Sequence, residues 1–262
     1  MEFRTVVSID KPSFLIQPLE EMLFVGSCFA ENIGRRFAEE HFNVTVNPYG
    51  VMYNPVSVLH TIQRVENIPR VVFITLGTNH VYRLKETGQI VDNCQKRPQQ
   101  LFQEEKLSIA QCVDSLTQIV ETLKSRRTDV CIVLTVSPIR YAKYGYHGSQ
   151  LSKATLLMAV DEMCRNFGGV HYFPAYEIVL DELRDYRFYQ PDMLHPSQQT
   201  VEYIWERLSE RYLSEAARQF VHDWQPIKAA LQHKPFHPDS PEYQQFLAQA
   251  KENEQALLSR YH

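Results

Sequence analysis

The chain has 262 residues, 44% hydrophobic and 22% charged, with a net charge of −4. That length allows one large domain or two small ones around a sizeable core, and the composition excludes a disordered or fibrous chain. The negative balance gives no electrostatic footing for nucleic acid or an anionic membrane, and no stretch reaches the length of a transmembrane helix.

Met1 to Asp10 lack the basic start and apolar run of a signal peptide, so the cytoplasm is the expected compartment. Five cysteines, Cys28, Cys94, Cys112, Cys131 and Cys164, are odd in number and scattered, which favours free thiols over disulfides. No CxxC pair suggests zinc, and neither metal nor cofactor is expected.

Taken in order, residues 1–21 carry Pro12 and Pro18 and read as a lead-in loop. Met22–Val25 is a short apolar strand, Gly26 permits a tight turn, and Phe29, Ile33 and Phe37 recur at helical spacing from about Cys28 to Glu40. Phe42–Val46 is a second strand candidate, ending in the turn Asn47-Pro48-Tyr49-Gly50. Pro55 opens a helix carrying Val58, Leu59 and Ile62. Val71–Leu76 is a third strand, closed by Gly77.

Residues 81–91 suggest a small hairpin outside the main sheet. A long helix is expected over about 104–126, followed by a fourth strand, Val130–Val136, apolar enough for the middle of a parallel sheet. Tyr141–Gln150 reads as a surface loop, with Ser152 capping the next helix. Val170–Phe173 is a shorter fifth strand, and Ser197 onward begins a helix with Val201, Ile204, Trp205 and Leu208 on its buried face. From about Trp224 the chain turns proline-rich and then glutamine-rich. A main domain of 1–223 and a helical tail of 224–262 are therefore expected, the tail packed on the domain or on a second copy of the chain as a homo-oligomer contact.

Alternation of apolar strands with helices predicts an α/β fold, a parallel sheet with helices on both faces. Such sheets bind ligands beyond the carboxyl ends of their strands. Gly26-Ser27, Gly50 and Gly77 all lie just past such ends. Ser27 reads first as an N-cap. It also reads as a nucleophile held where unpaired backbone N–H groups favour negative charge.

Asp192-Met193-Leu194-His195-Pro196 sits before the helix that Ser197 opens. A carboxylate three residues from an imidazole can hold Nδ1 and leave Nε2 to take a proton. The same pair is common in purely local hydrogen bonding. Cys28, beside Ser27, is set aside as a nucleophile because it falls inside the helical turn. His80, His147 and His171 have no metal-ligand spacing and read as surface or loop residues. The absence of Gly-x-Ser-x-Gly disfavours an ordinary α/β-hydrolase, and no Gly-x-Gly-x-x-Gly or phosphate-loop string is present.

The chain order Ser, Asp, His, with the last two close together, resembles the SGNH, or GDSL-like, hydrolases. More narrowly, Gly26-Ser27-Cys28-Phe29-Ala30 spells the string for which the GSCFA family is named. The resemblance extends through Asn47–Pro55, Thr75–Thr78 with Tyr82-Arg83-Leu84, Leu134–Pro138, and Tyr186–Tyr189 through Pro196, over about residues 20–210. It implies a three-layer, flavodoxin-like sandwich with five parallel strands in the order 2-1-3-4-5. It also implies a nucleophile at Ser27, a base at His195 and an orienting acid at Asp192. The oxyanion hole would take the N–H groups of Ser27 and Gly50 and the side chain of Asn79, with Asn54 in reserve. The expected activity is a serine esterase on a small acyl ester, an acetylated sugar among the candidates. An acyltransferase with the same site and a non-catalytic module binding glycan or acyl ligands are the alternatives.

Overall fold

The computed structural model describes residues 4–92 and 97–261, so Cys94 lies outside the described residues. The chain opens into β1 (Glu21–Gly26), α1 (Cys28–Glu39), β2 (Asn43–Val46), α2 (Pro55–Arg64) and β3 (Val71–Leu76). Next come β4 (His80–Leu84), β5 (Ile90–Val91), β6 (Phe102–Lys106), α3 (Ile109–Arg126), β7 (Cys131–Val136), α4 (Gly145–Asn166) and β8 (Val170–Tyr172). A short α5 (Ala175–Glu177) precedes a π-helical turn over Ile178–Leu183, then α6 (Gln198–Tyr212), α7 (Glu215–Gln232) and α8 (Pro241–Leu258).

The main sheet runs β2-β1-β3-β7-β8, every pair parallel, which is the five-strand order expected from the sequence. Residues β1 and β3 pair as Phe24↔Phe73, Val25↔Ile74 and Gly26↔Thr75. Side chains alternate across the pleat. Leu23, Val25, Val72, Ile74, Ile132 and Leu134 therefore join the α2, α3 and α4 residues Val58, Ile62, Leu116, Ile119 and Val160 in one core cluster. Met22, Phe24, Phe73 and Val133 join Phe29, Ile33 and Phe37 of α1 and Ile204, Trp205 and Leu208 of α6 in the other. Phe24 stacks on Phe73 at 4.7 Å, and Phe37 meets Trp205 edge-on at 4.7 Å. Arg36 adds a link from α1 to Glu202 of α6 at 2.9 Å. These contacts seat α6, and with it the loop that ends at Ser197.

Three local expectations need correction. The helix expected from residue 104 begins at Ile109, capped by a reciprocal Ser108–Gln111 box. The preceding Phe102–Lys106 is a strand, antiparallel to β4, in a small sheet of order β5-β4-β6. The expected hairpin is thus one edge of a three-stranded unit.

The loop expected over Tyr141–Gln150 contains a 3-10 turn at Ala142–Tyr144, and α4 already starts at Gly145. Ser152 consequently lies inside α4 rather than at its cap. Its Oγ accepts from the Asn79 amide at 3.0 Å and bonds the Thr78 hydroxyl at 3.0 Å.

His80 and His171 are strand residues rather than loop ones, and His80 does not lie at the surface. His80 is buried, stacked 3.6 Å from Tyr144 and bonded to Glu104 at 2.8 Å, and burial lowers its pKa.

The C-terminal helices pack back on α1. Trp224 lies within α7 and its Nε1 donates to the Glu39 carbonyl at 2.9 Å. Lys228 reaches Glu40 at 3.0 Å, and His41 reaches Glu254 of α8 at 2.9 Å. No helix among the described residues is long and apolar enough to cross a membrane.

Candidate active site

Gly26 determines how β1 hands over to α1. Its φ is +139°, and a Cβ there would stand 2.0 Å from the Thr75 carbonyl oxygen. Only glycine allows that approach. The Ser27 amide then donates to the Thr75 carbonyl at 3.1 Å and to Thr75 Oγ1 at 3.0 Å. The Ser27 hydroxyl bonds Thr75 Oγ1 at 3.0 Å and accepts from the Phe29 amide at 3.2 Å, and Ser27 is the N-cap of α1.

Ser27 is 0% exposed. Its hydroxyl is engaged as the cap of the first turn, accepting from a helix amide. The next residue, Cys28, is free of that duty. Its side chain lines a cavity of about 280 Å³ together with Tyr53, Ile139, Arg140, Tyr141, Ala142, Lys143, Leu194 and His195. The Cys28 thiol lies 3.8 Å from the Tyr53 hydroxyl. Burial first, and then Cys28, pushes the Tyr53 phenol up to about 12.

The Asp192–His195 pair is built as its spacing suggested. Asp192 Oδ1 accepts from the amides of Leu194 at 2.8 Å and His195 at 3.0 Å, while Oδ2 accepts from His195 Nδ1 at 2.6 Å. A carboxylate can only accept, so Nδ1 carries the proton and Nε2 is left with its lone pair. The two amides, and then the imidazole, hold the Asp192 carboxyl down to about 2.

Met193 takes a left-handed φ of 59° inside this turn. Gln190 N donates to His195 O at 2.7 Å, and Arg140 binds the loop from the β7 side, its amide to Leu194 O at 3.0 Å and its Nη1 to Met193 O at 2.8 Å. The loop is therefore fixed at both ends, with His195 38% and Asp192 41% exposed.

The oxyanion donors expected from the sequence are engaged elsewhere. Gly50 N donates to Asn47 O at 2.8 Å in an exposed turn, and the Ser27 amide is held by Thr75. Asn79 Nδ2 donates to Leu107 O at 2.7 Å, which ties the β3–β4 link to the chain entering α3. Asn54 caps α2, accepting from Ser57 N at 3.0 Å. Asp192 and His195 meet in the structure. Ser27, Gly50, Asn79 and Asn54 do not line the cavity that His195 shares with Cys28.

Sequence reasoning passed over Tyr53, Tyr141 and Lys153. Lys153 is fully buried in α4, and its Nζ donates to Gly77 O and Ser137 O at 2.6 Å each, joining the chain that leaves β3 to the chain that leaves β7. Burial pulls its pKa to about 7. The signal was a lysine on the helix face that carries Leu156, Val160 and Met163. Among the described residues no group of three or more His, Cys, Asp or Glu could hold a metal.

Comparison with solved structures finds a member of the lipolytic protein G-D-S-L family from Veillonella parvula, 12% identical, covering 72% of this chain and 96% of that chain, with a TM-score of 0.48. It also finds a carbohydrate esterase family 3 protein from Talaromyces cellulolyticus, 10% identical, covering 78% and 99%, with a TM-score of 0.43. No curated protein matches the chain. The "GSCFA family" matches residues 21–68 and 66–208, and the "GSCFA domain protein, C-terminal domain" matches residues 224–262. With well over half of its length so matched, the chain belongs to the GSCFA family.

Proposed function

We propose that the protein is a hydrolase of small acyl esters that works through a thioester on Cys28. The observation that carries this reading is the cavity that Cys28 shares with His195, whose imidazole is oriented by Asp192. The fully buried Ser27, capping α1 from beneath, is the residue the sequence favoured as nucleophile. Its burial and its two hydrogen bonds support Cys28 in its place.

In this reading His195 Nε2 takes the Cys28 proton, and the sulfur attacks the ester carbonyl. Asp192 holds the imidazole in the needed tautomer and offsets the charge that forms on it. The dipole of α1, at whose head Cys28 stands, favours the developing negative charge. The protonated imidazole then gives its proton to the departing alcohol, and water enters by the same route to cleave the thioester. The exposed edge of His195 favours water as the acceptor, hence hydrolysis; an acyltransferase differs only in admitting an alcohol at that step.

A cavity of about 280 Å³ with Tyr53, Ile139, Tyr141 and Leu194 among its walls suits a short acyl chain. The rings of Tyr146, Tyr186 and Tyr189 gather 4.3–5.6 Å from the Arg140 guanidinium at its rim. They offer flat faces to a sugar, which supports an acetylated carbohydrate as the substrate class. The test is turnover of a panel of acyl esters by the wild-type, Cys28→Ala and His195→Ala chains, with and without alcohol acceptors. The reading expects activity in the wild type alone. Full activity in Cys28→Ala would defeat it.

A further inference from the structure

The Tyr141 hydroxyl is buried and has no hydrogen-bond partner. Native proteins pair nearly all such groups, so an orphan beside a reactive side chain calls for a ligand. Tyr141 lines the cavity that holds Cys28 and His195. Its hydroxyl rests against the Gly77 backbone, just past β3: a Cβ built on Gly77 would stand 2.2 Å from it. Gly77 N and Thr78 N are themselves spent on the Tyr53 carbonyl, at 2.8 and 2.9 Å, so neither serves as the phenol's partner. The Tyr141 ring is held by Lys153 Nζ, 5.0 Å from its centroid, and by Tyr144, stacked at 5.8 Å. On its other side stands Tyr53, edge-on at 6.4 Å and 39% exposed.

We propose that the Tyr141 hydroxyl is the side-chain hydrogen-bond donor to the acyl oxygen in the reaction of Cys28, reached when substrate turns the exposed Tyr53 ring aside. The proposal rests on the acyl-transfer reading above. It fills the place expected for Asn79, whose side-chain amide is committed to Leu107. Burial raises the Tyr141 phenol well above its ordinary value, which keeps it protonated as a donor.

The Cys28 S–H bond breaks, its proton passes to His195 Nε2, and the sulfur pair forms the S–C bond. The carbonyl π pair moves to oxygen, which accepts the Tyr141 hydrogen bond without taking its proton. When that pair returns, the C–O bond to the alcohol breaks, and the alcohol departs with the proton from His195. A neutral thioester remains. The donor strengthens its bond only as charge develops, which is what accelerates the step.

The experiment compares two reagents on Cys28, followed by mass spectrometry of the intact chain. p-Nitrophenyl acetate acylates through an oxyanion, whereas iodoacetamide alkylates by displacement without one. In Tyr141→Phe, acylation should slow by about 10²–10³-fold, the usual loss for one such donor, while alkylation stays within about three-fold. The melting temperature should hold or rise, because an orphan buried hydroxyl is removed.

Gly77→Ala keeps the phenol but displaces it, and should slow acylation selectively as well; it decides the matter if Tyr141→Phe does not fold. Acylation at the wild-type rate in the folded variant, or equal slowing of both reagents, overturns the role of Tyr141. A wild-type Cys28 that is alkylated but never acylated overturns the acyl-transfer reading instead, and this proposal with it.

Discussion

The Ser27 hydroxyl lies 3.0 Å from the Thr75 hydroxyl and is fully buried, whereas the neighbouring Cys28 lines the cavity that holds His195. One residue of register thus separates the cap from the residue that shares a cavity with His195. Ser27→Ala should cost about 1 kcal/mol in urea unfolding, the usual loss for an N-cap, and leave kcat within a few-fold. Cys28→Ala should retain wild-type stability to within about 1 kcal/mol, since a half-exposed thiol contributes little, and lose turnover. Reversed behaviour of the two variants would return the nucleophile to Ser27.

Asp192 is tested by Asp192→Asn, which keeps the shape of the turn but removes the charge opposite Nδ1. A fall in kcat of roughly 10²–10⁴ is expected from loss of the correct tautomer. The pair also makes a pH signature. A free aspartate titrates near 3.9 and this one near 2, so the folded value is depressed. Its contribution to stability is complete above about pH 4, fades as the pH falls, and is gone below about 2. The urea midpoint of wild type minus that of Asp192→Asn, followed from pH 6 to pH 2, should shrink over that window. A difference independent of pH would contradict the assignment of charge.

Lys153 gives the opposite window. Its amine is held near 7 by burial, against about 10.4 for a free lysine. Between those values the unfolded chain binds the proton that the folded chain has released, so stability rises with pH. Lys153→Met lacks this group and leaves Gly77 O and Ser137 O without their donor, which should cost about 1–3 kcal/mol. The gap between wild type and Lys153→Met, measured by denaturant unfolding, should widen from pH 7 to pH 9. A constant or narrowing gap would mean that the amine keeps its proton throughout.

Asn79→Ala should cost about 1 kcal/mol through the lost bond to Leu107 O and change kcat by no more than a few-fold. Steady-state kinetics with a thermal melt checks both. A folded Asn79→Ala chain with kcat reduced about 10²-fold or more would restore Asn79 as an oxyanion donor.

The middle strands of the main sheet were legible because Val71–Leu76 and Cys131–Val136 are largely apolar runs, the mark of strands covered on both faces, and their order came with the family resemblance. β6 was not. Four of its five residues are polar, and it pairs only with β4, so its exposure erased the alternation that would have marked it. The start of α4 was hidden by Gly145 and Gly148, residues that favour loops when read locally.

At the site, Asp192 and His195 could be read because their contact is made within one turn. Helical spacing set Cys28 aside in favour of Ser27; the bond that engages the Ser27 hydroxyl was not legible, because it is made by Thr75, a residue 48 positions away. Asn79 had the right distance from Gly77 in sequence, but the docking of the small sheet against the entry to α3 turns its amide to Leu107. Tyr141 offered no sequence signal at all, since its unpaired hydroxyl is a product of the packing around Gly77.

On the proposed route an acyl group passes through the Cys28 sulfur. The direct measurement is to mix the protein with p-nitrophenyl acetate, quench in acid, and map the acetyl group by peptide mass spectrometry before and after neutral hydroxylamine. A thioester is cleaved under those conditions and an alkyl ester largely resists. The account predicts one acetyl on Cys28, released by hydroxylamine and absent from His195→Ala. An acetyl on Ser27 that survives hydroxylamine would contradict it.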